Sequence, residues 1–281
     1  MEKKSTKIES ILKSIIPSII LMILQICASL FVMGFYFMKF MNSNKFLSYD
    51  DFYKKLFKMV QEFSSLPYIY QLYSILGIIL MFILIKNKKD FRCNFNISAL
   101  KGNMIIYLIL LGISLQIFTS YVMNICIIFM PEEGKKYIEL MESAGMTENI
   151  KLSMILYVAF LGPICEELAF RGLTMYYAQR GFSFWTANII QSVLFGMFHM
   201  NVIQGIYAFV LGLAFGYVLN VTGGMLVPIV LHIIFNSTAG IMSLVTEFGN
   251  KNPITFCAFL TASMSVIYFT LIHLKKIGKN I

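Results

Sequence analysis

Eight apolar runs separated by polar segments set the pattern of this chain: Ser14–Met38, Pro67–Ile85, Asn103–Met130, Ile150–Leu168, Phe182–His199, Val202–Val221, Met225–Val245 and Pro253–Leu274. Most have the roughly 20 residues that cross a hydrocarbon core about 30 Å thick at 1.5 Å rise per residue. A backbone in lipid must satisfy its own polar groups, so each run predicts a helix. The expected fold is all-α: a polytopic integral membrane protein, a bundle of about eight transmembrane helices around an intramembrane polar cavity. The polar intervals add detail. In Lys39–Leu66, Phe52, Leu56, Met59 and Phe63 recur at helical spacing, which predicts a short amphipathic surface helix. Pro131–Asn149 is acidic and predicts a solvated helix or loop. Gly223-Gly224 predicts a tight turn, and Pro228 falls in the first turn of the next helix, where its missing N–H costs little. Gly212 and Gly216 form a GxxxG pair suited to close helix packing.

Composition sharpens the class. With 58% hydrophobic and 13% charged residues and a mean hydropathy of +0.75, the chain carries far more apolar surface than a soluble domain of 281 residues needs. Its net charge of +9 sits between the apolar runs, which points to topology and anionic lipid rather than to nucleic acid. With the N-terminus inside, inner segments hold fourteen Lys and Arg and outer ones nine. The excess predicts a multi-pass cell-membrane protein with both termini cytoplasmic. The first run is too long for a signal peptide and reads as an uncleaved helix. Five cysteines (27, 93, 126, 165 and 257) stand singly, so neither a disulfide framework nor a thiolate zinc site is expected.

Candidate chemistry lies where ionisable groups interrupt the apolar runs. Glu166 and Glu167 end the fourth run, whereas the other twelve acids lie in terminal or loop segments. His199 and His232 also sit inside apolar runs. Such groups are costly at membrane depth and are by default functional. On a helix Glu167 and Arg171 share a face and can pair, while Glu166 turns about 100° away toward another neighbour. Phe195 and His199 are four apart, as are His232 and Asn236, so each pair shares a face. The set suits hydrolysis of an amide bond: a carboxylate and a histidine to activate water, and a second histidine with an amide to donate to an oxyanion. A carboxylate with two imidazoles (Glu166, His199, His232) is also an acceptable zinc set with an open position. Cys165 is a poor thiolate beside two carboxylates. His273, beside Lys275 and Lys276, fits an interfacial role.

Glu-Glu-x-x-x-Arg (166–171), Phe-x-x-x-His (195–199) and His-x-x-x-Asn (232–236), in that order on successive apolar segments, resemble the motifs of the CPBP family of intramembrane proteases. That family includes the type II CAAX prenyl endopeptidases and the ABI, bacteriocin-processing and self-immunity proteins. The resemblance covers about Ile150–Val245. It implies three regions: residues 1–149, an N-terminal transmembrane region without a motif; 150–245, the protease core; and 246–281, a final helix with a basic tail. It further implies that Glu166 is the catalytic glutamate, Glu167 its supporting partner and Arg171 their organiser. His199 would act with Glu166 on water, with Phe195 beneath its ring, and His232 and Asn236 would stabilise the oxyanion. The family has been described both as metalloproteases and as metal-free glutamate proteases. The metal-free reading is preferred, with zinc as the alternative. Membrane lipid and a protein or peptide substrate are the expected partners. The rival to an endopeptidase is a non-enzymatic immunity or scaffold protein on the same fold; a proton-relay transporter lacks the repeat symmetry it would need.

Overall fold

The computed structural model describes residues 6–43, 48–63, 67–88, 95, 100, 102–147 and 150–279. Among them the regular structure is helical: α1 (Lys7–Ser43), α2 (Tyr49–Phe63), α3 (Pro67–Lys86), α4 (Gly102–Phe129), α5 (Pro131–Ser143), α6 (Leu152–Gln179), α7 (Phe184–Phe198), α8 (Val202–Thr222), α9 (Leu226–Gly249) and α10 (Pro253–Gly278). Six of these, α1, α3, α4, α6, α8 and α10, are long and apolar enough to cross a membrane. The shorter apolar stretches Phe184–Phe198 and Leu226–Gly240 complete the eight expected segments. The chain is a multi-pass membrane protein. At 15 residues α7 spans only about 22 Å, because the extended Ser183 ends it on one side and the positive φ of Met200 (53°) breaks it on the other.

The amphipathic helix expected before the second apolar run is α2, with Phe52, Leu56 and Met59 as its half-buried stripe. The side chain of Phe63 lies outside the described residues. Asp50 and Asp51 occupy its first turn, where acids complement the helix dipole. The acidic interval contains α5, opened by Pro131. The turn at Gly223 is a left-handed cap: its φ is 66° and its N–H donates to Leu219 O at 2.8 Å. Pro228 falls in the first turn of α9. Lys3, Lys4, Lys45, Lys89, Arg92 and Lys101, which enter the charge count, lie outside the described residues, as do Cys93, Glu148 and Asn149.

One expectation is corrected. The fourth apolar run does not end at the two glutamates; the helix continues to Gln179 and buries Glu167 and Arg171 to 0% and 1% exposure. Hydropathy ends a run at the first charges, but opposite charges four apart neutralise each other and let the helix go on. Arg171 therefore leaves the loop count on the inner side.

Packing concentrates around α6. Helix α1 lies along its second half, α3 crosses its middle, and α9 packs on its first half. Gly172 brings α3 close, since a Cβ there would stand 2.8 Å from Ile85 Cδ1. Helices α7 and α8 form an intimate pair through the GxxxG glycines: a Cβ on Gly212 would lie 2.8 Å from the Ser192 backbone. Gln191 Nε2 donates to Gly212 O at 2.8 Å and Asn188 Nδ2 to Leu213 O at 3.1 Å, satisfying polar groups buried between them. One apolar core, from Leu21 through Tyr73, Phe170 and Phe215 to Leu274, joins the first helices to the last.

Candidate active site

Helix α6 is not a regular α-helix. A π-helical turn over Tyr157–Leu161 precedes the α-helical Gly162–Glu167, and a second over Leu168–Thr174 follows. Pro163 supplies a cause for the first. It has no N–H to close an α turn, and its ring crowds the carbonyl four residues back. The widened turn relieves that conflict, with Gly162 N–H donating five residues back to Tyr157 O. The glutamates thus sit on a short α segment between two wide turns, an irregularity frequent at functional sites.

Glu167 is fully buried and holds two partners with one oxygen. Its Oε1 lies 3.0 Å from Arg171 Nη1 and 2.8 Å from His232 Nδ1. The guanidinium carbon of Arg171 stands 4.3 Å from the Phe195 ring centroid and 5.2 Å from that of Phe215. Two aromatic faces and one carboxylate thereby replace the water this cation has lost. Glu166, turned away from this pair, keeps 12% side-chain exposure and places Oε2 3.8 Å from His232 Nε2.

The imidazoles are oriented by their other nitrogens. His199 closes α7, with Nδ1 2.9 Å from Phe195 O. A carbonyl can only accept, so Nδ1 carries the proton, and the neutral ring presents a lone pair on Nε2. His232 likewise donates Nδ1–H to Glu167 and turns Nε2 toward Glu166. Phe195 stands between the two rings, edge-on to both at centroid distances of 5.0 and 6.1 Å. Asn236, one turn beyond His232, donates Nδ2–H to Val158 O at 2.8 Å, in the first π turn. One of its two amide protons is committed there, and the other has no partner among the described residues.

The structure therefore brings Glu166, Glu167, Arg171, Phe195, His199, His232 and Asn236 to one place from α6, α7 and α9. The residues that sequence reasoning passed over are Phe215, whose ring also packs at 4.9 Å from His232, and Tyr73 with Tyr157, whose hydroxyls lie 3.2 Å apart. No local spacing marks them, because the contacts join distant segments of an aromatic-rich chain. His273 lies elsewhere, stacked on Tyr107 at 5.1 Å. Cys165 is buried where a Cβ on Gly77 would meet its Sγ at 2.6 Å.

Two imidazole Nε2 lone pairs and a carboxylate suit zinc by donor type. As placed, however, no three His, Cys, Asp or Glu among the described residues group closely enough to hold one ion.

Residues 148–238 match the family model described as "Type II CAAX prenyl endopeptidase Rce1-like", an interval that contains all three motifs. The similarity to the CPBP family lies in this segment. The chain is also similar to the protein named "Putative membrane peptidase YdiL" of Bacillus subtilis (strain 168), at 31% identity over 91 residues. That alignment covers 32% of this chain and 37% of the relative, so the chain spans little more than a third of the length of the curated relative it matches. No solved structure matches the chain. The family-model match lies in residues 148–238, beyond α1–α4.

Proposed function

We propose that this protein is an intramembrane endopeptidase that hydrolyses a peptide bond of a membrane-associated protein or peptide. The observation that carries the reading is the division of labour between adjacent glutamates: Glu167 is fixed by Arg171 and His232, whereas Glu166 is partly exposed and faces His232 Nε2 at 3.8 Å. Glu166 then takes a proton from water, helped by the Nε2 lone pair of His199, the hydroxide adds to the substrate carbonyl, and the tetrahedral intermediate collapses as Glu166 passes that proton to the leaving amine and the C–N bond breaks. The second amide proton of Asn236 is a donor to the oxyanion, and His232 becomes one when its Nε2 gains a proton. Arg171 and Glu167 keep the His232 ring in place. The membrane setting and the family similarity support, as substrate, a peptide presented at the membrane, of the CAAX type or of the kind released in peptide maturation. The excess of Lys and Arg in the inner segments supports a cytoplasmic location for both termini.

The test is a search for new peptide termini by mass spectrometry. Wild-type protein and His199→Ala, reconstituted in liposomes, are incubated with a library of unmodified and S-farnesylated peptides. The proposal expects internal cleavage by the wild type and none by the variant. Equal products from both, or no products from either, would leave an immunity or scaffold role in its place.

A further inference from the structure

We infer that the Tyr157 hydroxyl, held by Tyr73, is an additional hydrogen-bond donor to the reacting carbonyl, an inference that rests on the peptidase reading above. The first ground is direction. Side chains on an α-helix normally lean back toward its N-terminus, but the Tyr157 ring lies forward over Gly162. A Cβ on Gly162 would stand 3.4 Å from Tyr157 Cε2 and 3.6 Å from Cζ. Residues Gly162 and Glu166 are four apart on the α-helical segment Gly162–Glu167 and share a face. The tyrosine is thus laid along the face that carries the proposed base.

The second ground is a count of protons. The two hydroxyls, 3.2 Å apart, share one hydrogen bond, which uses one of their two O–H groups. Among the described residues neither hydroxyl has another hydrogen-bond partner. One donor therefore remains unspent in a poorly solvated place, on the side of Glu166. A peptide carbonyl acquiring negative charge is the acceptor that such a donor lacks. The Tyr157 ring is confined by Tyr70 and Tyr73, at centroid distances of 5.1 and 6.2 Å.

The third ground is support. Asn236 Nδ2 holds Val158 O, the carbonyl next in sequence to Tyr157, at 2.8 Å. This bond pins the π turn from which the tyrosine projects, so Asn236 positions Tyr157 in addition to offering its own second proton. Helix α3, from the region with no recognisable motif, contributes to the site through Tyr73.

Tyr157→Phe retains the ring against Gly162 and removes only the hydroxyl. With a quenched fluorescent peptide chosen from the library members that the wild type cleaves, this variant should lose about 10²-fold in kcat with KM changed less than about threefold, the pattern of a donor used only in the transition state. Tyr73→Phe, which removes the support, should lose a smaller factor in kcat. Thermal unfolding of both should match the wild type. Glu166→Gln, run in parallel, separates the two levels of the argument. If Glu166→Gln is inactive and folded Tyr157→Phe turns over at the wild-type rate, or loses only through KM, the tyrosine inference is overturned and the peptidase reading stands. If Glu166→Gln retains full turnover, or the wild type cleaves no peptide, the peptidase reading fails and takes the inference with it.

Discussion

Replacing Glu167 by glutamine should destabilise this protein far more than the same change at Glu166, although the residues are neighbours. Glu167 is 0% exposed and its Oε1 lies 3.0 Å from Arg171 Nη1, itself buried. Two unit charges at that separation attract by about 5 kcal/mol at an effective dielectric of about 20. Removing the carboxylate charge also removes its own desolvation cost, so the net loss is smaller, about 3–5 kcal/mol for a broken buried pair. The aromatic faces of Phe195 and Phe215 stay over the guanidinium but supply no counter-charge. The amide oxygen of glutamine can still accept from His232 Nδ1–H, so the change isolates the orphaned Arg171 charge. Glu166 has 12% exposure and its one ion-pair contact, to His232, is 3.8 Å long. Its replacement should cost less, because that contact is longer and the glutamine leaves no buried cation orphaned. The assay is denaturant unfolding in detergent micelles, followed by the fluorescence of Trp185, the one tryptophan of the chain. A Glu167→Gln variant as stable as the wild type, or a Glu166→Gln variant that is the less stable of the two, would refute the assignment of the structural and the reactive acid.

Other outcomes follow from the same geometry. Asn236→Ala leaves Val158 O without its 2.8 Å donor and should cost about 1–3 kcal/mol of stability as well as turnover, measured by the same unfolding assay and by peptide cleavage. Gly212→Val forces a side chain into the Ser192 backbone, where even a Cβ would stand at 2.8 Å, and should prevent stable α7–α8 packing; retention of a monodisperse, folded protein on size exclusion would contradict this. Purified protein should cleave peptide at an undiminished rate after chelator treatment and carry far less than one zinc per chain by elemental analysis. Stoichiometric zinc lost in His232→Ala and kept in Asn236→Ala would require the three donors to close around an ion.

The eight apolar segments were legible in the sequence because lipid leaves a long apolar run little choice but helix. The three pairs at i, i+4 were legible because helical periodicity alone sets which residues share a face. What escaped was the irregular part of α6. Glu166, Glu167 and Arg171 look like the end of a run, and only the ion pair with Glu167, closed by His232 from another helix, explains why the run continues. Pro163 was visible, but a proline can kink, end or widen a helix, and its position alone does not choose the π turn. Tyr73 and Tyr157 are 84 residues apart and meet only because α3 crosses α6, so no motif in the first 149 residues could have announced them. Its spacing from His232 marks Asn236 as a donor to substrate alone; its bond to Val158 O arises from the packing of α9 on that π turn.

The central claim is that Glu166 activates the water that breaks a peptide bond, and single-turnover cleavage by Glu166→Gln tests it most directly. The amide keeps the shape of the side chain and cannot take a proton. With the variant shown to be folded, the account predicts a cleavage rate lower by at least about 10²–10⁴-fold, the usual worth of a positioned general base. A folded Glu166→Gln protein that cleaves the same peptide at the wild-type rate would contradict it.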